Sequence, residues 1–257
     1  MAKARPGRMW PAIVRGLLQA AAVITLATNS LRASSRHNSE ALIGAASVLG
    51  SLVLYDLVKN ARAQKSRAEL YEKENRCRDI LSTTLLRIEA ITSVPCSNIG
   101  MHIYEVQRRR VPWRLIRRSG LLRKELVRVS RYRVSALPTA SDIRWTKGKG
   151  AVGQAWSRAT FVAVNLREFD ARRAALGEVE FSALGIEERN GFSFAEYRKT
   201  VEKYDAVAAV PIVTAKGNVV GCLSVDIQFN AGYKLISKIA IRGVLGDAAL
   251  AALRDIG

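Results

Sequence analysis

Two apolar runs around a short polar turn dominate the pattern near the carboxyl end of the chain. Residues 206–226 read AVAAVPIVTAKGNVVGCLSVD, with valine-rich stretches on both sides of AKGN. Gly217 lies in the turn, where the absence of a side chain permits a positive φ angle. The pattern therefore predicts a β-hairpin with a short glycine-containing loop. Pro211 conflicts with this interpretation, because a proline removes a hydrogen bond from a central strand.

Three further segments have the spacing of strands. Residues 99–107 place alternate apolar side chains on one face, and residues 161–166 form a short apolar run. Residues 125–137 alternate imperfectly, with Leu126 and Tyr132 on one face, which predicts a bulged, half-exposed antiparallel strand. Together with the hairpin, these segments predict one antiparallel sheet.

Helical periodicity occupies the intervals between these strands. A glycine-rich loop enters a helix over residues 148–158, and residues 192–204 and 233–256 also predict helices. A longer helix is predicted over residues 62–93, which contain no proline or glycine. Helices at the faces of an antiparallel sheet define an α+β domain.

Mostly apolar side chains follow one stripe of this long helix at alternating spacings of four and three residues. The stripe consists of Cys77, Leu81, Thr84, Ile88 and Ile91. Its period is that of a coiled-coil seam over about two heptads. Two interpretations follow: the stripe packs on the domain's own sheet, or the helix also pairs with a second copy of the chain.

The order of these motifs resembles the GAF domain family. The motifs that carry the resemblance are GKGAVGQAW at 148–156, FVAVNL at 161–166 and the hairpin sequence at 210–226. The resemblance covers residues 66–256 and implies a GAF-like antiparallel sheet with flanking helices. It implies that the first and last helices pack on one face, where dimers commonly form, and that a ligand pocket lies on the other. A proline is usual in the family at the position of Pro211.

By carry-over of these motifs, the resemblance implies a ligand-binding wall made of Tyr132, Trp145, Lys147, Trp156, Phe161 and Asn165. The two tryptophans could stack on a planar ligand, and Lys147, beside the start of a helix, could hold an anion. Core packing is the alternative interpretation for both tryptophans, and a solvated loop is the alternative for the lysine. The sequence indicates no particular cofactor.

Two apolar segments near the amino end have the length of membrane spans. Residues 9–31 and 41–58 contain one charged residue each and are joined by a short polar connection. A bilayer core needs about 20 mostly apolar helical residues. The pattern predicts a transmembrane helical hairpin, with a signal peptide or a buried soluble helix as the alternatives.

Basic residues set the expected orientation of that hairpin. They lie before the first segment (Lys3, Arg5, Arg8) and after the second (Lys59, Arg62, Lys65, Arg67), with fewer in the connection (Arg32, Arg36). Positive flanks favour the cytoplasmic side. We therefore expect a two-span protein of the plasma (inner) membrane with both termini in the cytoplasm.

Charge is concentrated in the segment after the first strand. The chain carries a formal net charge of +19, which favours polyanionic partners. The segment mixes tryptophan and leucine with six arginines proposed to contact an anionic surface: Arg108, Arg109, Arg110, Arg114, Arg117 and Arg118. This composition is typical of contact with anionic lipid headgroups. A second interpretation of the segment is a nucleic-acid-binding patch, although no recognition motif supports it. A third is an arginine-rich, solvated insertion between two strands.

Candidate catalytic chemistry is sparse. The three cysteines have no metal spacing, the two histidines do not form a metal motif, and GKGAVGQ lacks the GK[ST] ending of a phosphate loop. No catalytic triad or carboxylate pair stands out, so we expect a non-enzyme without a metal site. An enzymatic interpretation rests only on Cys222 and on the acidic residues of segment 178–188.

Three parts follow from the sequence: a transmembrane hairpin over 1–60, a connecting helix over 61–93 and a cytoplasmic GAF-like domain over 94–257. The resemblance implies a sensor that binds a small ligand or partner and signals through a homodimer. One alternative is a membrane effector whose hairpin rearranges when ligand binds. Another is a dimerisation module with an empty pocket.

Overall fold

A long helix leads into the sheet domain. The computed structural model describes residues 36–108, 124–139, 141–228 and 232–256. Helix α1 (Arg36–Thr92) starts earlier than the predicted 62–93, because no proline interrupts the segment before it. It ends where Ser93 adopts a φ angle of 56° and Pro95 follows.

The chain divides into two compact units, Met1–Leu70 and Tyr71–Gly257. The first predicted span, 9–31, lies outside the described residues, whereas residues 41–58 belong to α1. In the part of the chain that the structure describes, no helix has a stretch long and apolar enough to cross a membrane.

Among the described residues of the second unit, five strands form one sheet. They are β1 (Ile99–Arg108), β2 (Lys124–Arg133), β3 (Val162–Asn165), β4 (Ala206–Val213) and β5 (Val219–Ile227). The order across the sheet is β2-β1-β5-β4-β3, and every neighbouring pair is antiparallel. The predicted antiparallel sheet is therefore confirmed.

Shorter helices surround this sheet. They are α2 (Gly150–Arg158), α3 (Leu166–Ala171), α4 (Glu178–Ala183), α5 (Phe194–Val201), α6 (Gly232–Ile236) and α7 (Ile239–Ile256). The single helix predicted over 233–256 is wrong in one respect, because the structure divides it into α6 and α7. The strand order and flanking helices fit a GAF-like α+β fold.

One face of the sheet is the main hydrophobic core. Alternate residues of β1 and β5 point to this face, and helices α1 and α7 cover it. The predicted stripe of α1 packs here: Cys77, Leu81, Thr84 and Ile88 are buried, whereas Ile91 is partly exposed. The stripe therefore packs on the domain's own sheet, and side chains elsewhere on α1 remain exposed.

A bulge in β2 changes which of its side chains face the core. Tyr104 of β1 pairs with Arg128, whereas the preceding Ile103 pairs with Ser130, so β2 contains one extra residue. Leu126 consequently lies on one face and Tyr132 on the other. The expectation that they share a face is wrong, although the bulge itself is confirmed.

The predicted hairpin is formed by β4 and β5. Gly217 has a φ angle of 80° in its turn, which a residue with a side chain rarely adopts. Strand β3 pairs only with residues 206–209 of β4. Pro211 lies beyond the end of β3, so its missing N–H group interrupts no hydrogen bond to that strand.

Candidate functional site

A small cavity lies on the face of the sheet opposite the main core. Its volume is ≈ 30 Å³, at least twice the minimum that one water molecule requires. Strands β1, β2, β4 and β5 form its floor, and residues 141–145 together with α5 form its walls. The lining side chains central to its chemistry are His102, Tyr104, Arg128, Trp145, Lys199 and Asp226.

A buried polar network runs across the floor of this cavity. His102 on β1 lies opposite Ser224 on β5, and Nε2 of its ring is 2.7 Å from Oδ2 of Asp226. Oδ1 of the same carboxylate accepts a hydrogen bond from the guanidinium of Arg133 on β2. The side chains of this triad are 2–6% exposed. Buried charges of this kind are stable only when they are paired.

Gly100 makes the ion pair possible. A Cβ atom at this position would lie 2.3 Å from Nη2 of Arg133 and 2.7 Å from Oδ2 of Asp226. Both distances are shorter than van der Waals contact, so a side chain here would displace the pair. The space that the ion pair needs therefore explains why a glycine occupies position 100 in a mostly apolar strand.

His102 is neutral in the folded chain. Burial lowers the pKa of His102 well below its ordinary value, and the nearby Arg128, Arg131 and Arg133 lower it further. The Asp226 carboxylate does not reverse this, because its charge is already balanced by Arg133. Nε2–H of the neutral ring therefore donates to Asp226, which leaves Nδ1 as an acceptor.

Arg128 supplies positive charge at the cavity. Its guanidinium carbon lies 5.6 Å from the centre of the Tyr104 ring, a cation–π distance. Within the described ranges, no carboxylate forms an ion pair with Arg128. Lys199, also in the lining, is 3.4 Å from the exposed Asp142. The charge of Arg128 is thus available to an anion.

The glycine-rich loop and α5 hold the walls in place. The backbone N–H of Leu126 donates to the Trp145 carbonyl at 3.0 Å, which fixes the loop to β2. At the start of α2, the Lys149 ammonium donates to both oxygens of Glu196 on α5, at 2.8 and 2.9 Å. Trp145 then packs edge-on against Tyr104, with ring centres 6.2 Å apart.

The six residues of the predicted ligand wall are separated by the fold. Trp145 lines the cavity. Lys147 and Trp156 instead line an open cleft of ≈ 670 Å³ beside the β4–β5 turn, where Nζ of Lys147 is 5.5 Å from the Trp156 ring centre. Arg108, at the exposed end of β1, lines the same cleft. The other five arginines of the predicted basic surface lie outside the described residues.

The three remaining wall residues lie elsewhere. Tyr132 and Phe161 pack against the main core on the opposite face of the sheet. Asn165 caps α3, where its side-chain oxygen accepts a hydrogen bond from the backbone N–H of Glu168 at 3.2 Å. These positions give Tyr132, Phe161 and Asn165 structural contacts away from the cavity.

Sequence reasoning missed the polar floor of the cavity. His102, Asp226 and Arg133 are far apart along the chain, and only strand pairing brings them together. A signal was present, because His102 and Asp226 interrupt otherwise apolar strands on the face opposite the core residues. A buried histidine and a buried carboxylate on the same side of two strands indicate a paired network.

Cys222 is a poor nucleophile in this fold. It is fully buried, and its sulfur lies 3.6 Å from the Val152 carbonyl oxygen. Burial raises the pKa of Cys222 to about 12, so the reactive thiolate is disfavoured. Among the described residues, no group of three histidine, cysteine or carboxylate side chains is placed to hold a metal ion.

Several solved structures are similar to this chain. The A. aeolicus nlh2 GAF domain in an inactive state is 17% identical to this chain, with a TM-score of 0.35. The match covers 72% of this chain and 96% of the GAF domain chain. A type II free methionine-R-sulfoxide reductase from Thermoplasma acidophilum is 10% identical, with coverages of 70% and 94% and a TM-score of 0.38. A further GAF domain structure is 14% identical, with coverages of 70% and 89% and a TM-score of 0.37.

No protein-family model and no curated protein matches the chain. At these TM-scores the similarities to solved structures carry no argument about a ligand or an activity.

Proposed function

We propose that this chain is a regulatory sensor that binds a small molecule in the cavity beside His102, Arg128 and Asp226. The observation that supports the proposal is that Arg128 lies beside a buried charged network and has no carboxylate partner among the described residues. A domain that only needed stability would gain more from apolar packing at these positions. Binding rather than catalysis is proposed, because Cys222, the candidate nucleophile, is buried.

The proposed output is a change in a homodimer. The outer surface of α1 and α7 contains a groove of ≈ 340 Å³ lined by Thr83 and Ala251, among others. Leu86 and Leu250 are exposed on these helices by 61% and 68%. Burial of such side chains against a second copy would be favourable. We expect Leu250→Asp to shift the chain toward monomer in analytical ultracentrifugation, and an unchanged dimer would contradict this interface.

Membrane anchoring is part of the same proposal and rests on the amino-acid sequence. Residues 9–31 and 41–58 are apolar and are flanked by basic residues. An inner-membrane anchor with both termini in the cytoplasm would place the basic segment near Arg108 close to anionic lipid. The expected result is recovery of the full chain in the membrane fraction, resistant to extraction at high pH. Its release by high-pH extraction would exclude a spanning anchor.

Native mass spectrometry of the full chain, released from detergent micelles, tests the sensor proposal. We expect a bound small molecule that is lost when the chain unfolds. Arg128→Gln should remove this molecule, whereas Arg158→Gln, at an exposed position, should retain it. A wild-type chain without a bound molecule in repeated preparations, or a molecule retained equally by both variants, would contradict binding at the cavity.

A further inference from the structure

Three buried polar atoms on side chains that line the cavity have no hydrogen-bond partner among the described residues. They are Nε of Arg128, Nε1 of Trp145 and Nδ1 of His102. An unpaired buried polar atom is destabilising, and native proteins contain few of them. These are three of the eight such atoms among the described residues, and a single group bound in the cavity could satisfy all three.

The chemical character of these atoms restricts that group. The Arg128 and Trp145 nitrogens are hydrogen-bond donors, so they require an acceptor. Nδ1 of the neutral His102 is an acceptor, because Nε2–H already donates to Asp226. A simple anion such as acetate offers acceptors only and would leave His102 unsatisfied. The bound group must therefore combine an acceptor with a donor.

Charge and size restrict the chemical class of the bound group further. Asp226 is balanced by Arg133, and Lys199 lies near Asp142, whereas Arg128 and Arg131 have no carboxylate partner among the described residues, so an anionic acceptor is favoured. The same positive charge disfavours an ammonium as the donor and favours a neutral donor, of which a hydroxyl is the smallest. A cavity of ≈ 30 Å³ limits the group to a few heavy atoms.

We infer that the cavity binds a short 2-hydroxy carboxylate, with the carboxylate toward Arg128 and Trp145 and the hydroxyl toward Nδ1 of His102. This inference rests on the proposed sensor function and adds the class of ligand. It explains why His102, whose Nε2 donates to Asp226, lies beside Arg128, for which the described part of the chain supplies no counter-ion.

Calorimetric titration of the full chain in detergent micelles tests the inference with four probes: glycolate, acetate, glycine and ethylene glycol. Glycolate carries both groups, acetate lacks the hydroxyl, glycine replaces it with an ammonium, and ethylene glycol lacks the charge. We expect glycolate to bind at least tenfold more tightly than each of the others, because each analogue leaves at least one buried group unsatisfied or adds an unfavourable charge. Equal binding of acetate and glycolate, or no binding of glycolate, would overturn the inference.

Variants test which residues contact the carboxylate of glycolate and which contact its hydroxyl. Arg128→Gln should weaken glycolate and acetate alike by at least tenfold, whereas the exposed Arg158→Gln should change neither. His102→Gln keeps an N–H donor for Asp226, and its remaining acceptor oxygen is not at the position of Nδ1, so the ratio of glycolate to acetate affinity should fall to about one. If His102→Gln fails to fold, as judged by circular dichroism, Trp145→Phe gives a second test, with both affinities lowered by a similar factor. A full glycolate preference in His102→Gln, or unchanged affinities in Trp145→Phe, would overturn the assignment.

The mass-spectrometric experiment separates this inference from the proposed function. If glycolate does not bind but another molecule co-purifies and is removed by Arg128→Gln, the ligand class is wrong and the sensor proposal stands. If no molecule co-purifies and glycolate does not bind, both fail.

Discussion

The two faces of the central sheet contrast within the same strands. On one face, Met101, Ile103, Leu223 and Val225 pack with α1 and α7 in a continuous apolar core. On the other face, alternate residues of the same strands include His102 and a buried charged network. Because successive side chains of a strand point to opposite faces, one face can form the apolar core while the other carries the cavity proposed to bind a ligand.

The contrast also shows where polar groups are tolerated. Apolar side chains stabilise wherever they are buried, whereas a buried charge must be matched individually. Asp226 is matched twice, by His102 and by Arg133, whereas Arg128 contacts the Tyr104 ring and has no carboxylate partner in the described ranges. Arg128 is therefore the position on the polar face that is most informative about function.

The largest expected effect comes from the polar face. Asp226→Ala would leave Arg133 buried without its partner and His102 without its acceptor. Breaking a buried ion pair typically costs about 3–5 kcal/mol. Chemical denaturation followed by tryptophan fluorescence should show this loss, with a smaller loss for Asp226→Asn, which keeps oxygen and nitrogen atoms in place. Equal stability of Asp226→Ala and the wild type would show that the network is not formed.

Truncation on the apolar face should cost a similar or slightly smaller amount. Leu223 is fully buried in the central strand β5. Leu223→Ala removes buried methyl groups and leaves a cavity, which typically costs about 2–5 kcal/mol. Leu70→Ala is a matched control, because Leu70 is 62% exposed and its truncation should change the free energy of unfolding by less than about 0.5 kcal/mol. Similar losses at both positions would argue against the described core.

The pH dependence of stability distinguishes the two faces further. Because the pKa of His102 is lowered in the folded chain, the unfolded chain binds an extra proton below pH of about 6.5. Stability should therefore fall as the pH drops below this value, by up to about 1.4 kcal/mol per pH unit, and should not depend on His102 above it. Denaturation midpoints between pH 7 and pH 5 measure this slope. His102→Gln should reduce it, whereas Leu223→Ala should leave it unchanged; an identical slope in His102→Gln would exclude a neutral buried histidine.

A substitution in the turn between β4 and β5 should have the smallest effect on stability, since the turn belongs to neither face of the sheet. Gly217 has a φ angle of 80°, and no atom lies within 4 Å of the point that a Cβ would occupy, so only backbone strain opposes a substitution. Gly217→Ala should cost about 1 kcal/mol and leave ligand affinity unchanged. A thermal denaturation series gives the value, and a loss as large as that of Leu223→Ala would indicate contacts that the turn does not show.

The apolar face could be predicted from sequence because its signal is local. The hairpin of residues 206–226 and the alternation of residues 99–107 are read directly from neighbouring positions, and both agree with the structure. Burial of the α1 stripe follows from the same logic, since a period of 3.5 places its members on one side of the helix.

The cavity could not be predicted in the same way, because its contacts are non-local. Arg133 on β2 and Asp226 on β5 are 93 residues apart along the chain. Their side chains meet because both strands pair with β1, in registers that place the two residues on either side of it. One extra residue in the β2 bulge turns Tyr132 toward the core and Arg131 and Arg133 toward the cavity. A single-residue change in register reverses every later side chain, which sequence alternation alone does not locate.

The most direct test of the division between the two faces is to measure stability and glycolate affinity on the same pair of variants. Leu223→Val, on the apolar face, should unfold at a lower denaturant concentration yet bind glycolate with wild-type affinity. Arg128→Gln, on the cavity face, should unfold like the wild type yet lose at least tenfold in affinity. If both variants lost affinity in proportion to their loss of stability, the separation of the two faces would be contradicted.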